Sequence, residues 1–123
     1  MPRDPRHDVL FESVRIGPKT AKNRFYQVPH CNAMGYMKPQ GDAAHRSMKA
    51  EGGWAVICTE ACSIHPSAEA APYAEKRLWD ERDAQDLALF PAASHAHGAL
   101  ARIELAHWGL AFSTRSSRAI PLS

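Results

Sequence analysis

The 123 residues, 45% hydrophobic with nine prolines beside seven glycines, have the composition of one soluble domain at most, and a disordered tail is not expected. Fifteen lysines and arginines against thirteen aspartates and glutamates leave a net charge of +2, too small to imply nucleic acid or an anionic membrane as partner. The longest strongly apolar run, Trp54 to Cys58, falls far short of the ~20 residues a bilayer span needs, so no membrane is expected.

The opening MPRDPRHDVLFE mixes Arg, Asp and Pro where a secretory signal needs an apolar centre, and a cytoplasmic location is the expectation. Val9 to Ile16 reads as an extended segment, Gly17 with Pro18 as a turn and Thr20 to Arg24 as the return, which predicts a hairpin over 9–24. Phe25 to Val28 is a short apolar strand ended by Pro29, and a loop punctuated by Gly35, Pro39 and Gly41 follows. Asp42 can accept from the free amides of a first helical turn, Ala44 and Met48 fall four apart, and Gly52 can take the left-handed closing conformation. A helix over 43–51 follows.

Trp54 to Thr59 is a strand of the type buried on both faces, as a helix-covered parallel sheet requires. Pro66 and Pro72 interrupt the next stretch. A second amphipathic pattern runs from about Asp83 to His97 with Leu87, Phe90 and Ala93 on one side and Gly98 closing it. An interior Pro91 removes a backbone donor and predicts a kink or a later start. Ala99 to Leu105 is a third strand, and the Ser/Arg cluster from Ser113 to Arg118 reads as a solvated tail.

Alternating strands and helices define an α/β protein, here a hairpin followed by about three βα units. A TIM-type (β/α)8 barrel takes eight strands and ~250 residues, so the expectation is the N-terminal portion of such a barrel, incomplete, with its remaining strands after Ser123.

In parallel α/β folds ligands collect where strands end, because those loops share one face. The three loops present Pro29, His30 and Cys31, then Glu60, Ala61 and Cys62, then Glu104 to Gly109. The three cysteines, Cys31, Cys58 and Cys62, read as thiols and not as a disulfide framework. Structural zinc is not expected: Cys58 and Cys62 lack a second close pair, and His95 and His97 fall on opposed sides of a helix. A nucleophilic pair of Cys31 with His107 would need a geometry that spacing does not reveal. No glycine-rich phosphate loop of the dinucleotide or P-loop type occurs.

The stretch NRFYQVPHCNAMGY at 23–36 resembles the first barrel strand of the trimethylamine dehydrogenase, dimethylamine dehydrogenase and dimethylglycine demethylase group of the old yellow enzyme superfamily. KAEGGWAVICTE at 49–60, RLWDERD at 77–83 and GALARIELAHWG at 98–109 resemble successive segments of the same family in the same order. The resemblance runs from about Leu10 to Pro121. It implies an FMN-binding barrel in which Cys31 occupies the position joined to flavin carbon 6 as a thioether. A thiolate can attack an electron-poor ring, and the link retains the cofactor and tunes its potential.

By the same resemblance Pro29 and His30 line the flavin, Glu104 faces its pyrimidine side where the wider superfamily carries glutamine, and His107 is a substrate-side candidate. Ala61 stands where trimethylamine dehydrogenases are similar in carrying tyrosine, which weakens trimethylamine as a substrate. The superfamily pattern Gln-Leu-x-His-x-Gly-Arg reads here Glu-Leu-Ala-His-Trp-Gly-Leu, so His107 and Gly109 fit and Leu110 does not. Arg102, where the family is similar in carrying glycine, shares a strand face with Glu104; if that face points into the barrel, a buried Arg102 needs a partner, and Glu104 is the candidate, in a pairing that would compete with flavin contact.

The implied reaction is oxidation of an N-methyl amine by hydride transfer to flavin, with iron–sulfur and nucleotide-binding parts further along the family's chains. The 123 residues alone are expected not to turn over. The alternatives from other classes are a non-catalytic remnant or an interaction module whose open sheet edge docks on a complementary barrel chain or a second copy of itself.

Overall fold

The computed structural model describes residues 4–68, 75–109 and 118. A 3-10 helix, Pro5–Phe11, opens the chain, capped by the Asp4 side chain, which accepts from the Arg6 amide. Val9 to Phe11 are therefore helical and not extended, and the antiparallel hairpin is limited to β1, Val14–Ile16, and β2, Lys19–Ala21. Gly17 supplies the positive φ of 57° at its turn.

A parallel sheet follows, made of β3, Tyr26–Gln27, β4, Val56–Ser63, β5, Lys76–Arg77, and β6, Leu100–Ala106. Among the described residues four parallel strands stand where three were expected, because a two-residue strand carries no readable periodicity. β6 pairs along β4 from Val56 to Ser63, so β3 and β5 share the other edge of β4: β3 at its start and β5 at its end. Between them a stretch of the β4 edge has no strand partner among the described residues. The loop after β3 lies there.

α1, Pro39–Glu51, begins four residues before the expected start. Asp42 is thus not a cap but a first-turn residue of the buried face, with Pro39, Ala43, Arg46 and Ala50. The overlooked signal was Pro39, whose missing N–H suits the first helical position. The closing residue also differs: Gly52 has φ −67°, and Gly53 takes the positive φ, 100°. α2, Glu81–His95, is capped by Asp80, which accepts from the Asp83 amide, and buries Asp83, Leu87, Phe90 and Ser94 at helical spacing. It starts earlier than expected and runs through Pro91 to His95, leaving His97 outside the helix.

Two apolar clusters hold these layers together. Ala50, Ile57, Phe90 and Ala99 lie between helices and sheet, and Ala21, Ala55 and Val56 pack with Val14, Tyr26 and Leu100 on the opposite sheet face. Ile57 and Val56 alternate between the two, as strand geometry demands.

An interior proline costs about 3 kcal/mol through its lost hydrogen bond and ring clash, partly offset because it also restricts the unfolded chain. Pro91→Ala is accordingly expected to raise stability by about 1–3 kcal/mol, read from the urea unfolding midpoint; an unchanged or lower midpoint would show that Pro91 packing outweighs the helix defect.

Candidate functional site

β4 extends to Ser63, so Glu60, Ala61 and Cys62, expected in a loop, lie within the strand; Glu104 lies within β6, inside the strand expected over 99–105. The reason is polar burial: Thr59, Glu60 and Ser63 are buried although their types suggest solvent. An irregularity between Cys58 and Ala61 resets the alternation. Cys58 sits opposite Arg102, and Ala61 opposite Glu104. Ala61 and Glu104 therefore share one sheet face with Val56 and Cys58, while Glu60 is turned to the other side.

Pro29, His30 and Cys31 occupy the loop after β3, with His30 and Cys31 exposed. The Cys31 thiol meets two elements. Its Sγ–H donates to Glu75 Oε1 at 3.5 Å, and the Ala61 backbone N–H is directed at the sulphur. Partial burial raises its pKa above the ordinary 9.0, the Ala61 amide counters this, and the carboxylates of Glu75 and Glu60 raise it further. Cys58 and Cys62 are buried and their thiols are pushed up, Cys62 to about 11, chiefly by burial. Cys31 is the accessible thiol of the three.

The structure brings Cys31 to Ala61 and Ala61 to Glu104, but it separates other pairs. Arg102 does not bond Glu104: its Nη1 donates to Tyr26 Oη at 2.9 Å and its guanidinium lies 5.8 Å from that ring, and both Arg102 and Glu104 are exposed. The open sheet face gives Arg102 water and a phenol in place of a buried site that would demand a carboxylate. The backbone amide of Glu104 donates to Thr59 Oγ1 at 3.0 Å.

His107 does not approach Cys31 as a partner either. Its Nδ1 accepts from the Gly109 amide and its Nε2 faces Ser67 Oγ at 3.3 Å, which in turn lies 2.7 Å from His65 Nδ1. Leu110 and residues 113–117 lie outside the described residues.

Sequence reasoning missed the cluster behind the Cys31 loop. Asp42, Arg46, Glu60 and Lys76 are each at most 3% exposed, two carboxylates with two cations. Arg46 Nε donates to Asp42 Oδ1 at 2.8 Å, Nη1 to the Cys58 carbonyl at 2.6 Å and Nη2 to the His30 carbonyl at 3.0 Å. Lys76 Nζ pairs with Asp42 Oδ2 at 2.9 Å. Glu60 accepts from the amides of Asn32 and Lys76, both at 3.0 Å, and Asn32 Nδ2 donates to Asp42 Oδ1 at 2.7 Å. Burial pushes the Asp42 carboxyl up, but Lys76, Arg46 and Asn32 outweigh it and hold it below its ordinary value; for Glu60 burial wins and the value is raised. The i,i+4 spacing of Asp42 and Arg46 was a readable signal, although the same spacing is common on solvated faces.

The chain matches the NADH:flavin oxidoreductase / NADH oxidase family over residues 9–119. Dimethylamine dehydrogenase of Hyphomicrobium sp. (strain x) is 48% identical over 109 residues, 89% of this chain and 15% of that protein. The structure of histamine dehydrogenase from Rhizobium sp. 4-9 aligns with a TM-score of 0.91 at 49% identity, over 98% of this chain and 19% of that one. The old yellow enzyme homologue from Zymomonas mobilis shares the fold, with a TM-score of 0.73 at 23% identity over 91% of this chain and 32% of that one. The chain thus spans less than a fifth of the length of the first two relatives. Its parallel sheet and helices correspond to part of a TIM-type barrel. It belongs to the NADH:flavin oxidoreductase / NADH oxidase family, within the trimethylamine dehydrogenase group of the old yellow enzyme superfamily.

Proposed function

We propose that this chain forms part of an FMN-binding barrel that oxidises an amine, with Cys31 as the covalent attachment point of the flavin. The observation that carries the reading is the placement of Cys31: an accessible thiol at the end of β3, against the Ala61 amide, beside the sheet face that Ala61 and Glu104 share. Val28, 63% exposed at the same strand end, adds apolar surface, so the residues present fit the edge of a flat aromatic ring. FMN, when bound, accepts the hydride.

The chain's own residues divide the work. Cys31 Sγ is the nucleophile for the thioether. Pro29 and His30 form the rim beside it, and the small Ala61 leaves room over the ring. Glu104, exposed on the opposed strand, offers a carboxylate to the ring edge or to an ammonium group. His107, held by Gly109 and Ser67, lies at the end of β6 on the substrate side. An N-methyl amine is the substrate class, following the 48% identity to a dimethylamine dehydrogenase. The iron–sulfur cluster and nucleotide-binding part of the family belong to other segments.

The test is an intact mass and visible spectrum of the denatured chain after expression with FMN. The expected result, in air, is colour that survives denaturation and an added mass of one FMN less two hydrogens, absent in Cys31→Ser: the thiolate adds to the ring to give the reduced adduct, and dioxygen takes the two hydrogens as it is reoxidised. A colourless chain of unmodified mass overturns attachment. A second reading, docking of the chain onto further barrel elements, is favoured by Ile103 and Leu105 of β6, 38% and 61% exposed. Concentration-dependent sedimentation of the colourless chain would support it.

A further inference from the structure

We propose that Arg46, with Asp42 and Glu60, is a positioning centre that fixes Cys31 through both of its flanking peptide groups for attachment of the cofactor; the purpose assigned to it rests on the reading of Cys31 as the attachment point. Arg46 is 1% exposed and uses all three guanidinium nitrogens. Its bond to Asp42 stays within α1, and its bond to the Cys58 carbonyl joins α1 to β4. The third goes to the His30 carbonyl, the oxygen of the peptide group that ends at the Cys31 nitrogen.

The other side of Cys31 is held by the same cluster. The Asn32 amide, in the next peptide group, donates to Glu60 Oε2, and the Asn32 side chain donates to Asp42 Oδ1 while lying 3.2 Å from His45 Nδ1. Neither of the Asn32 bonds to Asp42 and Glu60 runs directly between α1 and β4. They act on an irregular loop whose exposed thiol they bracket. Neighbouring Ala61, the residue after Glu60, directs its amide at the sulphur, so one buried cluster sets both the loop and the strand edge that face it.

Thioether formation requires the sulphur at bonding distance from one ring carbon, and a preset geometry supplies that where a mobile loop would not. Lysine in place of Arg46 keeps the charge but cannot span three acceptors in one plane. The groups that face Cys31 are Glu75, Glu60 and the Ala61 amide.

The experiment compares the full wild-type chain with Arg46→Lys and Asn32→Ala, after far-UV circular dichroism establishes the fold. The pH profile of Cys31 alkylation by iodoacetamide is read by peptide mass, with buried Cys58 and Cys62 as internal reporters of opening. The wild-type midpoint is expected above the ordinary thiol value of 9.0. In the folded variants the released loop solvates the thiol, the midpoint moves down by at least half a unit, and alkylation at pH 8 rises about threefold. With FMN supplied, the ratio of covalent to bound flavin is expected to fall about tenfold at unchanged total binding.

A folded variant with the wild-type pH profile overturns the proposal. Should Arg46→Lys expose Cys58 and Cys62 to the reagent, Asn32→Ala decides alone, since it removes a side chain from the loop and leaves the helix–strand bonds intact. A wild-type chain that takes no flavin refutes the attachment reading, while the alkylation profiles still decide whether the cluster positions Cys31.

Discussion

Asp42→Asn is expected to cost about 3–5 kcal/mol of stability, because it removes one charge from a buried cluster and leaves its partners uncompensated. The carboxylate is fully buried and serves Arg46, Lys76 and Asn32 at 2.7–2.9 Å. An asparagine of the same shape offers one acceptor where two oxygens work, and its NH2 would face a donor. Domains of this size carry 5–15 kcal/mol in all, so the loss approaches complete unfolding at the low end. Urea titration followed by tryptophan fluorescence measures it. Asp4→Asn is the control: the Asp4 and Arg6 groups are only 2.6 Å apart, yet they lie in solvent, and its midpoint should not move. Equal behaviour of the two variants would show that the buried cluster is not formed.

The same carboxylate fixes a pH dependence. Asp42 is held below its ordinary 3.8, so its contribution is full above about pH 4 and is lost as pH falls through the folded value. Glu60 has the opposite sign. Its folded value lies above the ordinary 4.5, so protonation favours the folded chain, and a cost develops as pH rises from 4.5 through that value. Asp42→Asn should therefore remove its acid limb below pH 4 and shrink the Glu60 limb without abolishing it, since burial is the first cause of the Glu60 shift and the Asp42 charge a lesser one.

How much of this was legible in the sequence follows from which physical signals periodicity carries. The run from Trp54 to Thr59 announced a strand because it is apolar on both faces, and β4 does bury Val56, Ile57 and Cys58. Its continuation through Glu60 was invisible, since a buried glutamate with two backbone amides looks the same as a solvated one. Asp42 was misread for a related reason: an aspartate before an apolar pattern suits a cap, and only the partners Arg46 and Lys76, four and thirty-four residues away, make it a core residue. Cys31 was legible as the thiol of a strand-end loop. What holds the loop was not, because it depends on contacts between α1, β4 and β5 that share no local pattern.

Gly35→Ala is expected to be as damaging as the loss of a charge, although Gly35 reads in the sequence as loop punctuation. A Cβ built there would lie 1.9 Å from Glu60 Oε1, 2.6 Å from Lys76 Cγ and 2.7 Å from the Lys76 backbone nitrogen. The last is main chain of β5 and cannot rotate away, and the Glu60 oxygen is the acceptor of that same amide. The methyl group must therefore part β5 from the loop or displace Glu60, which leaves the Lys76 amide without its buried acceptor. Overpacking of this kind costs about 1–3 kcal/mol, and the orphaned amide about 1–3 kcal/mol more. The expected result is a loss of roughly 3 kcal/mol or more by urea titration, with Cys31 alkylation moving as it does in Asn32→Ala, since Glu60 also holds the Asn32 amide. A Gly35→Ala chain with the wild-type midpoint would mean that the loop after β3 stands off from β5, and that the buried cluster does not close over the loop that carries Cys31.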